Sequence, residues 1–190
     1  MQRPDISPLS TLPTLETPRL TLRELTLADA PDIFAYASDP EVARSSIWEA
    51  HATLADTRAF IRFARNHYAA GEPGPWGLVE RASGRVIGSC GLALAAHHFR
   101  AELGYALARA HWGQGLATEA AAAVVRYGFT ALGLHRIEAR CRTDNLASER
   151  VMQKLGMTYE GALREQAFIK GEFITTRVYG LLRREWEAGV

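Results

Sequence analysis

The chain has 190 residues and a formal net charge of +1, with 22 lysine and arginine residues offset by 21 aspartate and glutamate residues. This length fits a single domain, and a hydrophobic content of 47% is sufficient for one buried core. The basic residues are scattered, which excludes the strongly basic surface typical of nucleic-acid-binding proteins. We therefore expect no nucleic-acid partner.

The N-terminal residues 1–15 are rich in proline, serine and threonine, and they predict a flexible tail that precedes one domain over 16–187. The tail lacks the basic start and apolar run of a secretion signal, and no later segment has the apolar length needed to span a membrane. The two cysteines, Cys90 and Cys141, lie in predicted strands and show no paired metal-ligand spacing. We expect a cytoplasmic protein with buried free thiols, no bound metal and no membrane partner.

Apolar periodicity and turn residues predict helices and strands that together form a mixed α/β sheet. We expect strands over 20–25, 76–80, 85–94, 101–107, 136–141, 159–168 and 174–182, and helices over 26–38, 53–70, 117–132 and 148–155. Short connections between 76 and 107 predict an antiparallel meander, and the strand, helix and strand from 101 to 141 predict one parallel pair. Four aromatic residues are expected in the core: Trp76, Phe63, Tyr127 and Phe129.

A glycine-rich turn separates the strand over 101–107 from the alanine-rich helix that follows it. Gly113 and Gly115 can adopt backbone angles closed to other residues and let a ligand approach the main chain. The helix that begins near Leu116 offers unpaired N–H groups and the positive end of its dipole. The turn therefore predicts a binding site for an anionic, phosphate-bearing cofactor.

Two other kinds of phosphate turn differ from this one in spacing. A P-loop has four residues between its glycines and then a lysine, whereas Gly113 and Gly115 are one residue apart with no lysine beyond them. A dinucleotide-binding GxGxxG turn matches two of its three glycines here, and Glu138 lies at about the distance of a ribose-binding acid. However, Thr118 replaces the third glycine and Glu138 falls inside a predicted strand. A dinucleotide-binding protein stays as an alternative interpretation.

The segment WGQGLATEA resembles the acetyl-CoA pyrophosphate loop of the GNAT (GCN5-related) N-acetyltransferases, with Gly115 and Ala117 at its last two fixed positions. Trp112 stands where arginine or glutamine is commonest. The segment over 144–165, DNLASERVMQKLGMTYEGALRE, resembles the downstream motif of the branch of ribosomal-protein N-terminal acetyltransferases. ETPRLTLRELTLADA near the start and FITTRVYGLLRREW near the end are also similar to that family. The resemblance covers about residues 16–186.

The resemblance implies the GNAT fold, a mixed and mostly antiparallel sheet of about seven strands flanked by about four helices. In that fold, a central parallel pair, here the strands over 101–107 and 136–141, splays apart to hold the pantetheine arm of acetyl-CoA. The strand residues would bind the arm through their main chain, and the loop would surround the pyrophosphate. Arg109, Arg150 and Lys154 are candidate phosphate partners, each with a solvated surface charge as its alternative role, which is the first interpretation for Arg109. The implied cofactor-binding residues are Tyr105, Ala106, Leu107, Trp112, Gly113, Gln114, Gly115, Leu116, Ala117, Thr118, Asn145 and Lys154.

The resemblance also implies direct transfer of an acetyl group from acetyl-CoA to an amine, without a covalent enzyme intermediate and without a metal. Glu102 is the candidate base that takes the amine proton, and its alternative role is a solvated partner of Arg100 or a neighbouring arginine. Ser148 is the candidate acid for the leaving thiolate, and its alternative role is a helix cap. Arg44 and Trp48 are expected on the acceptor side, where the family's first helices cover the cleft.

The identity of the acceptor is left open by the sequence. A small amine-bearing molecule or a protein N-terminal α-amine would suit such a cleft, and a homodimer through the last strands is compatible with the pattern. A non-catalytic CoA-binding sensor is the competing interpretation from another class. Such a sensor would keep the glycine loop and lose the polar groups near the thioester, whereas both Glu102 and Ser148 are present.

Overall fold

An eight-stranded sheet runs through residues 12–189, the part of the chain that the computed structural model describes. Its strands are β1 (Leu15–Glu16), β2 (Leu20–Arg23), β3 (Trp76–Glu80), β4 (Val86–Ala95), β5 (Arg100–Leu107), β6 (Arg136–Arg142), β7 (Thr158–Ile169) and β8 (Glu172–Leu182). Their order across the sheet is β1, β2, β3, β4, β5, β6, β8, β7, and β5 with β6 is the parallel pair. The predicted meander from β3 to β5 and the mixed GNAT-type sheet are confirmed.

The helices in the same range include every one that the sequence predicted. They are α1 (Ala30–Ala37), α2 (Pro40–Arg44), α3 (Leu54–Ala69), α4 (Leu116–Thr130), α5 (Leu146–Lys154) and α6 (Arg183–Ala188). The short helices α2 and α6 and the two-residue strand β1 were not predicted. Helix α2 begins at Pro40 because Asp39 caps it, with its Oδ1 accepting the Glu41 N–H at 2.9 Å.

Helices cover both faces of the central strands. The Tyr36 hydroxyl of α1 lies near the Ser89 side chain of β4, whereas α4 approaches Leu92 of the same strand. Successive strand residues point to opposite faces, so α1 and α4 lie on opposite sides of the sheet. The contact with α4 is close at Gly128, where a Cβ atom would lie 2.8 Å from Ile137 Cδ1. A larger residue at this point of the helix would therefore require the Ile137 side chain to shift.

The core forms a single cluster that extends from β2 to β8. Trp76, Tyr127 and Phe129 are buried within it as predicted, and Cys90 and Cys141 are buried free thiols as expected. The prediction for Phe63 was wrong, because its side chain is 56% exposed on the outer face of α3.

The predicted tail over 1–15 extends too far at its C-terminal end. Residues 1–11 lie outside the described part of the chain, but Leu12 is only 6% exposed and packs in the core. The Trp76 indole N–H donates to the carbonyl oxygen of Pro13 at 2.7 Å, and the Leu12 N–H donates to Glu24. Residues 12–15 are therefore held against the domain by specific bonds.

Candidate active site

The two parallel strands are paired over a short stretch only, and the gap between them beyond it is called the channel. Pairing of β5 with β6 covers only three positions, from Arg100 with Arg136 to Glu102 with Glu138. Beyond them β5 continues beside β4 as far as Leu107, and β6 continues beside β8 as far as Arg142. The edges of β5 and β6 that face each other there lack ladder hydrogen bonds, so their main-chain groups are available to an extended ligand.

The glycine-rich turn lies where β5 leads into α4. Gly113 and Gly115 have φ angles of 76° and 79°, in the left-handed region that favours glycine. Gly115 is the N-cap of α4 and makes no side-chain capping bond, so the first-turn N–H groups of the helix remain open to an anion. The loop and the adjoining channel thus fit the pyrophosphate and pantetheine arm of CoA.

Trp112 fastens this loop to the end of the strand. Its indole N–H donates to the carbonyl oxygen of Leu107 at 2.7 Å, while the indole remains partly exposed. The Leu107 carbonyl, which the sequence assigned to the arm of the cofactor, therefore has a protein partner already. The side chain of Gln114 donates to the carbonyl oxygen of Ala110 at 3.0 Å and tightens the same turn.

The sequence reasoning missed a set of hydrogen bonds, called the brace, that joins the hairpin of β1 and β2 to the glycine-rich turn and the start of α4. Arg19 donates to the carbonyl oxygen of Gln114 at 2.9 Å and to Glu119 Oε2 at 2.7 Å, and Thr17 donates to Glu119 Oε1 at 2.7 Å. Burial would raise the pKa of Glu119, but the bonds from Thr17 and Arg19 outweigh burial and lower it. Glu119 thus anchors the loop as well as favouring the helix dipole.

Glu102 occupies the last paired position before the strands separate, on the sheet face that also carries Ser89 and α1. Its side chain is 44% exposed, and its Oε2 lies 3.7 Å from Arg140 Nε, too far for a hydrogen bond. Of the two alternative partners, Arg100 binds Glu138 instead, at 3.0 Å, whereas the neighbouring Arg140 lies within ion-pair distance of Glu102. The carboxylate of Glu102 is therefore partly exposed, with a long ion pair to Arg140 and no hydrogen bond from a side chain among the described residues.

Glu138 lies beside Glu102 but is only 5% exposed. It accepts hydrogen bonds from Arg100, Arg136 and Arg140 at 3.0 to 3.1 Å. Burial would raise the pKa of Glu138, yet the bonds from Arg136 and Arg140 and the charge of Arg100 hold it below its ordinary value. A carboxylate held in this way has no oxygen free to bind the hydroxyl groups of a ribose. The sheet also contains one parallel pair and is otherwise antiparallel, unlike the mostly parallel sheet of dinucleotide-binding proteins. The dinucleotide interpretation is therefore wrong.

Ser148 lies on the opposite face of the sheet, in the first turn of α5. Asn145 caps that helix, its Oδ1 accepting the Ser148 N–H at 3.1 Å, so the cap is Asn145 and the alternative role for Ser148 is wrong. The hydroxyl oxygen of Tyr105 lies 2.8 Å from the hydroxyl oxygen of Ser148 and 3.1 Å from the carbonyl oxygen of Ser148. Burial raises the pKa of Tyr105 and keeps its hydroxyl protonated. The side chain of Tyr105 was missed because only its main chain had been considered.

The acceptor-side residues lie near the C-terminal end of α2. Arg44 ends that helix and is exposed, with Nε 3.7 Å from Glu41, and Trp48 is half-buried beside His51 with ring centroids 5.6 Å apart. An unpredicted contact reaches the same place, because Lys170 in the turn between β7 and β8 donates to the carbonyl oxygen of Ala43 at 2.7 Å. The hairpin tip and α2 therefore meet on one side of the cleft.

The three candidate phosphate partners lie on two different elements. Lys154 and Arg150 are exposed on α5, with Lys154 at the end of the helix remote from Asn145. Arg109 is exposed but forms an ion pair with Asp39 at 3.0 Å, so it links the phosphate loop to the start of α2. The structure brings the loop, the channel, Glu102 and Ser148 together, and it does not bring Lys154 to them.

Residues 12–189 contain neither a cluster of metal-ligating side chains nor a membrane-spanning helix. No group of three or more histidine, cysteine, aspartate or glutamate side chains in this range is placed to hold a metal ion. The helices in the same range are all too short or too polar to cross a membrane.

Comparison with known proteins agrees with this geometry. The sequence model of the family described as Acetyltransferase (GNAT) domain matches residues 19–158. The chain is 36% identical over 174 residues to an uncharacterized N-acetyltransferase, p20, of Bacillus licheniformis, covering 91% of this chain and 98% of the relative. It is 40% identical over 172 residues to the uncharacterized N-acetyltransferase YoaA of Bacillus subtilis, covering 90% and 97%.

Solved structures show the same fold. A GNAT-family acetyltransferase from Bacillus anthracis superposes with a TM-score of 0.82 at 26% identity, covering 90% of this chain and 99% of that one. The members of this family use acetyl-CoA and act on amines. The chain belongs to the GNAT family and is an N-acetyltransferase.

Proposed function

We propose that this enzyme transfers the acetyl group of acetyl-CoA to a protein or peptide N-terminal α-amine, by direct attack within a ternary complex. The observation that carries the proposal is the placement of Glu102 and Ser148 on opposite sheet faces, where β5 and β6 separate. An amine that enters from the side of Glu102 and a thiol that leaves toward Ser148 would be on opposite sides of one carbonyl carbon. Each of the two proton transfers of direct acyl transfer would then have its own side chain, one at the attacking nitrogen and one at the leaving sulfur.

Acetyl-CoA supplies the acetyl group as an activated thioester. The open N–H groups at Gly115 and the start of α4 would hold its pyrophosphate, and the unpaired edge of β5 from Tyr105 onward would hold its pantetheine arm. Asn145 would support the same channel by fixing the start of α5. No metal is needed for these contacts.

Glu102 would accept the proton that the amine loses as the new N–C bond forms. A main-chain N–H in the segment 103–105, on the edge that faces β6, would donate to the carbonyl oxygen as negative charge develops there. Ser148 would give its hydroxyl proton to the sulfur as the C–S bond breaks. Both residues return to their starting states by proton exchange with solvent, so the proton lost by the amine balances the proton gained by the thiol.

The charge along β5 and β6 favours an acceptor with a single amine over a polyamine. Glu138 is offset by three arginines, and Glu160 forms a bidentate pair with Arg136 at 2.5 Å. Glu102 is therefore the carboxylate that stays exposed along this part of β5 and β6. A polyamine would need several free carboxylates spaced along its length.

Relatives named for their substrates include both classes of acceptor. The putative ribosomal N-acetyltransferase YdaF of Bacillus subtilis is 33% identical over 88 residues, 46% of this chain and 48% of that protein. The spermidine N(1)-acetyltransferase of Escherichia coli (strain K12) is 36% identical over 76 residues, 40% of this chain and 41% of that protein. Since both matches cover less than half of the chain, the charge of the cleft is the argument for the α-amine.

The test is thiol release from acetyl-CoA with a panel of acceptors. The panel contains peptides beginning with serine, alanine or methionine, the same peptides with a blocked N-terminus, and spermidine. We expect thiol release with the peptides that have a free N-terminus, and none with the blocked peptides or with spermidine. The variant Glu102→Gln should lose most of this rate, while Glu172→Gln serves as the matched control, since Glu172 also lies 3.7 Å from an arginine. A higher kcat/KM with spermidine than with every peptide would refute the α-amine assignment.

A further inference from the structure

The hydroxyl groups of Tyr105 and Ser148 bridge the gap between two elements that are far apart in sequence. Tyr105 lies three residues beyond the last position at which β5 pairs with β6, and Ser148 lies in the helix that follows β6. The bond between their oxygens, 2.8 Å long, thus crosses the channel on the face opposite Glu102. A ligand arm in the channel would lie against this hydroxyl pair.

Either hydroxyl can donate in this bond, and the groups around it favour Tyr105 as the donor. Tyr105 has one proton and two acceptors within reach, the Ser148 hydroxyl oxygen at 2.8 Å and the Ser148 carbonyl oxygen at 3.1 Å. The carbonyl already faces the N–H of Met152, four residues on in the helix. The nearer oxygen has no other partner among the described residues, and we assign the tyrosine proton to it.

This direction leaves the proton of Ser148 unused. The Ser148 hydroxyl has one proton and, once it accepts from Tyr105, that proton must point elsewhere. The backbone N–H of Ser148 is bonded to Asn145, so the serine is held at both its main chain and its side chain. The open direction is the channel.

We propose that Tyr105 is a positioning residue that orients the Ser148 hydroxyl toward the sulfur of the acetyl donor. The proposal rests on the proposed function and adds a residue to it. In the transfer, the C–S bond breaks, the Ser148 O–H bond breaks and an S–H bond forms. The tyrosine proton stays on Tyr105 and stabilises the negative charge left on the serine oxygen until solvent returns a proton to it.

The experiment compares Tyr105→Phe with a matched control, Tyr179→Phe. Tyr179 also donates its hydroxyl proton to α5, to Glu149 Oε1 at 2.6 Å, but it does not touch Ser148. Two further variants are compared: Ser148→Ala and the double variant that combines Tyr105→Phe with Ser148→Ala. For each protein we would measure kcat and KM with a peptide acceptor, the Kd of CoA by calorimetry, and Tm.

We expect Tyr105→Phe to lower kcat by about tenfold, the rate equivalent of one lost hydrogen bond, with the Kd of CoA changed less than about twofold. Ser148→Ala should lower kcat by about 100-fold, and the double variant should be no slower than Ser148→Ala. Tyr179→Phe should keep the wild-type kcat. A kcat for Tyr105→Phe equal to that of Tyr179→Phe, or effects of Tyr105 and Ser148 that multiply, would overturn the proposal.

A crystal structure of the wild-type protein with CoA supplies a test that does not depend on turnover. We expect the CoA sulfur within about 3.5 Å of Ser148 Oγ, with the tyrosine bond retained. A sulfur beyond hydrogen-bond reach of Ser148 would overturn the inference even if the enzyme acetylates peptides. The absence of turnover with every acceptor would instead refute the proposed function, and the sulfur position would still decide the role of Tyr105.

Discussion

The brace formed by Arg19 leads to the most specific prediction about cofactor binding. Replacing Arg19 with methionine keeps the aliphatic length of the side chain but removes its bonds to the Gln114 carbonyl and to Glu119. The guanidinium is half-exposed, so solvent screens the ion pair, and the loss is about 1 kcal/mol. If the brace orders the loop for the pyrophosphate, this loss raises the Kd of CoA about fivefold.

The assay is calorimetric titration of each variant with CoA and with pantetheine, which lacks the pyrophosphate. Arg19→Met should weaken the binding of CoA and leave the binding of pantetheine unchanged. Arg81→Met is the matched control, because Arg81 also pairs with a carboxylate near the same hairpin, Glu16, but makes no bond to the loop. An equal loss for CoA and pantetheine, or a loss no larger than that of Arg81→Met, would refute the reasoning.

Three further predictions concern charged residues around the channel. Glu138→Gln should destabilise the fold by about 3 kcal/mol in denaturant titration, because it leaves three arginines around a neutral group. Since the folded pKa of Glu138 is lowered, its stabilisation is complete above its ordinary value of 4.5 and disappears as the pH falls through the lowered pKa. The free energy of unfolding of the wild type should thus fall as the pH drops from 4.5 through the lowered pKa. The same pH dependence in Glu138→Gln would contradict this assignment. Glu102→Gln should lower kcat by about 100-fold or more, and the residual rate should rise with pH as the acceptor amine deprotonates near pH 8; an unchanged kcat would remove Glu102 from its role. Lys170→Ala removes the bond from the hairpin tip to Ala43 and should raise the KM for peptides while leaving the Kd of CoA unchanged; a change in CoA affinity alone would show that the contact acts elsewhere.

The glycine loop and the order of elements were predictable because their signals are local. Gly113 and Gly115 stand where only left-handed φ angles close the turn, and the period of apolar residues separates α4 from the flanking strands. The parallel pair followed from one helical crossover. Each of these features depends on residues within one or two neighbouring elements, so the spacing of residues in the sequence predicts it.

The parts of the site that the sequence did not reveal depend on contacts between distant residues. The Arg19 to Glu119 brace spans 100 positions, the Tyr105 to Ser148 bond spans 43, and the Lys170 to Ala43 bond spans 127. No local pattern encodes such pairs, because each partner alone resembles an ordinary surface or strand residue. Ser148 was left between two roles since either it or Asn145 can cap a helix.

Phe63 illustrates a different limit. It stands within a helix whose apolar residues recur with helical spacing, and its aromatic ring suggested burial. The buried stripe of α3 runs through Thr57, Ile61, Ala64 and Tyr68, and Phe63 points away from it. Residue type was a poorer guide here than position on the helix.

Steady-state kinetics with both substrates varied test the central claim most directly. Thiol release would be measured over a matrix of acetyl-CoA and N-terminal peptide concentrations. Direct attack in a ternary complex predicts amine-dependent release and double-reciprocal lines that intersect. Parallel lines would indicate a covalent acetyl-enzyme, and release that ignores the peptide would show that no amine takes the acetyl group; either result would contradict the roles assigned to Glu102 and Ser148.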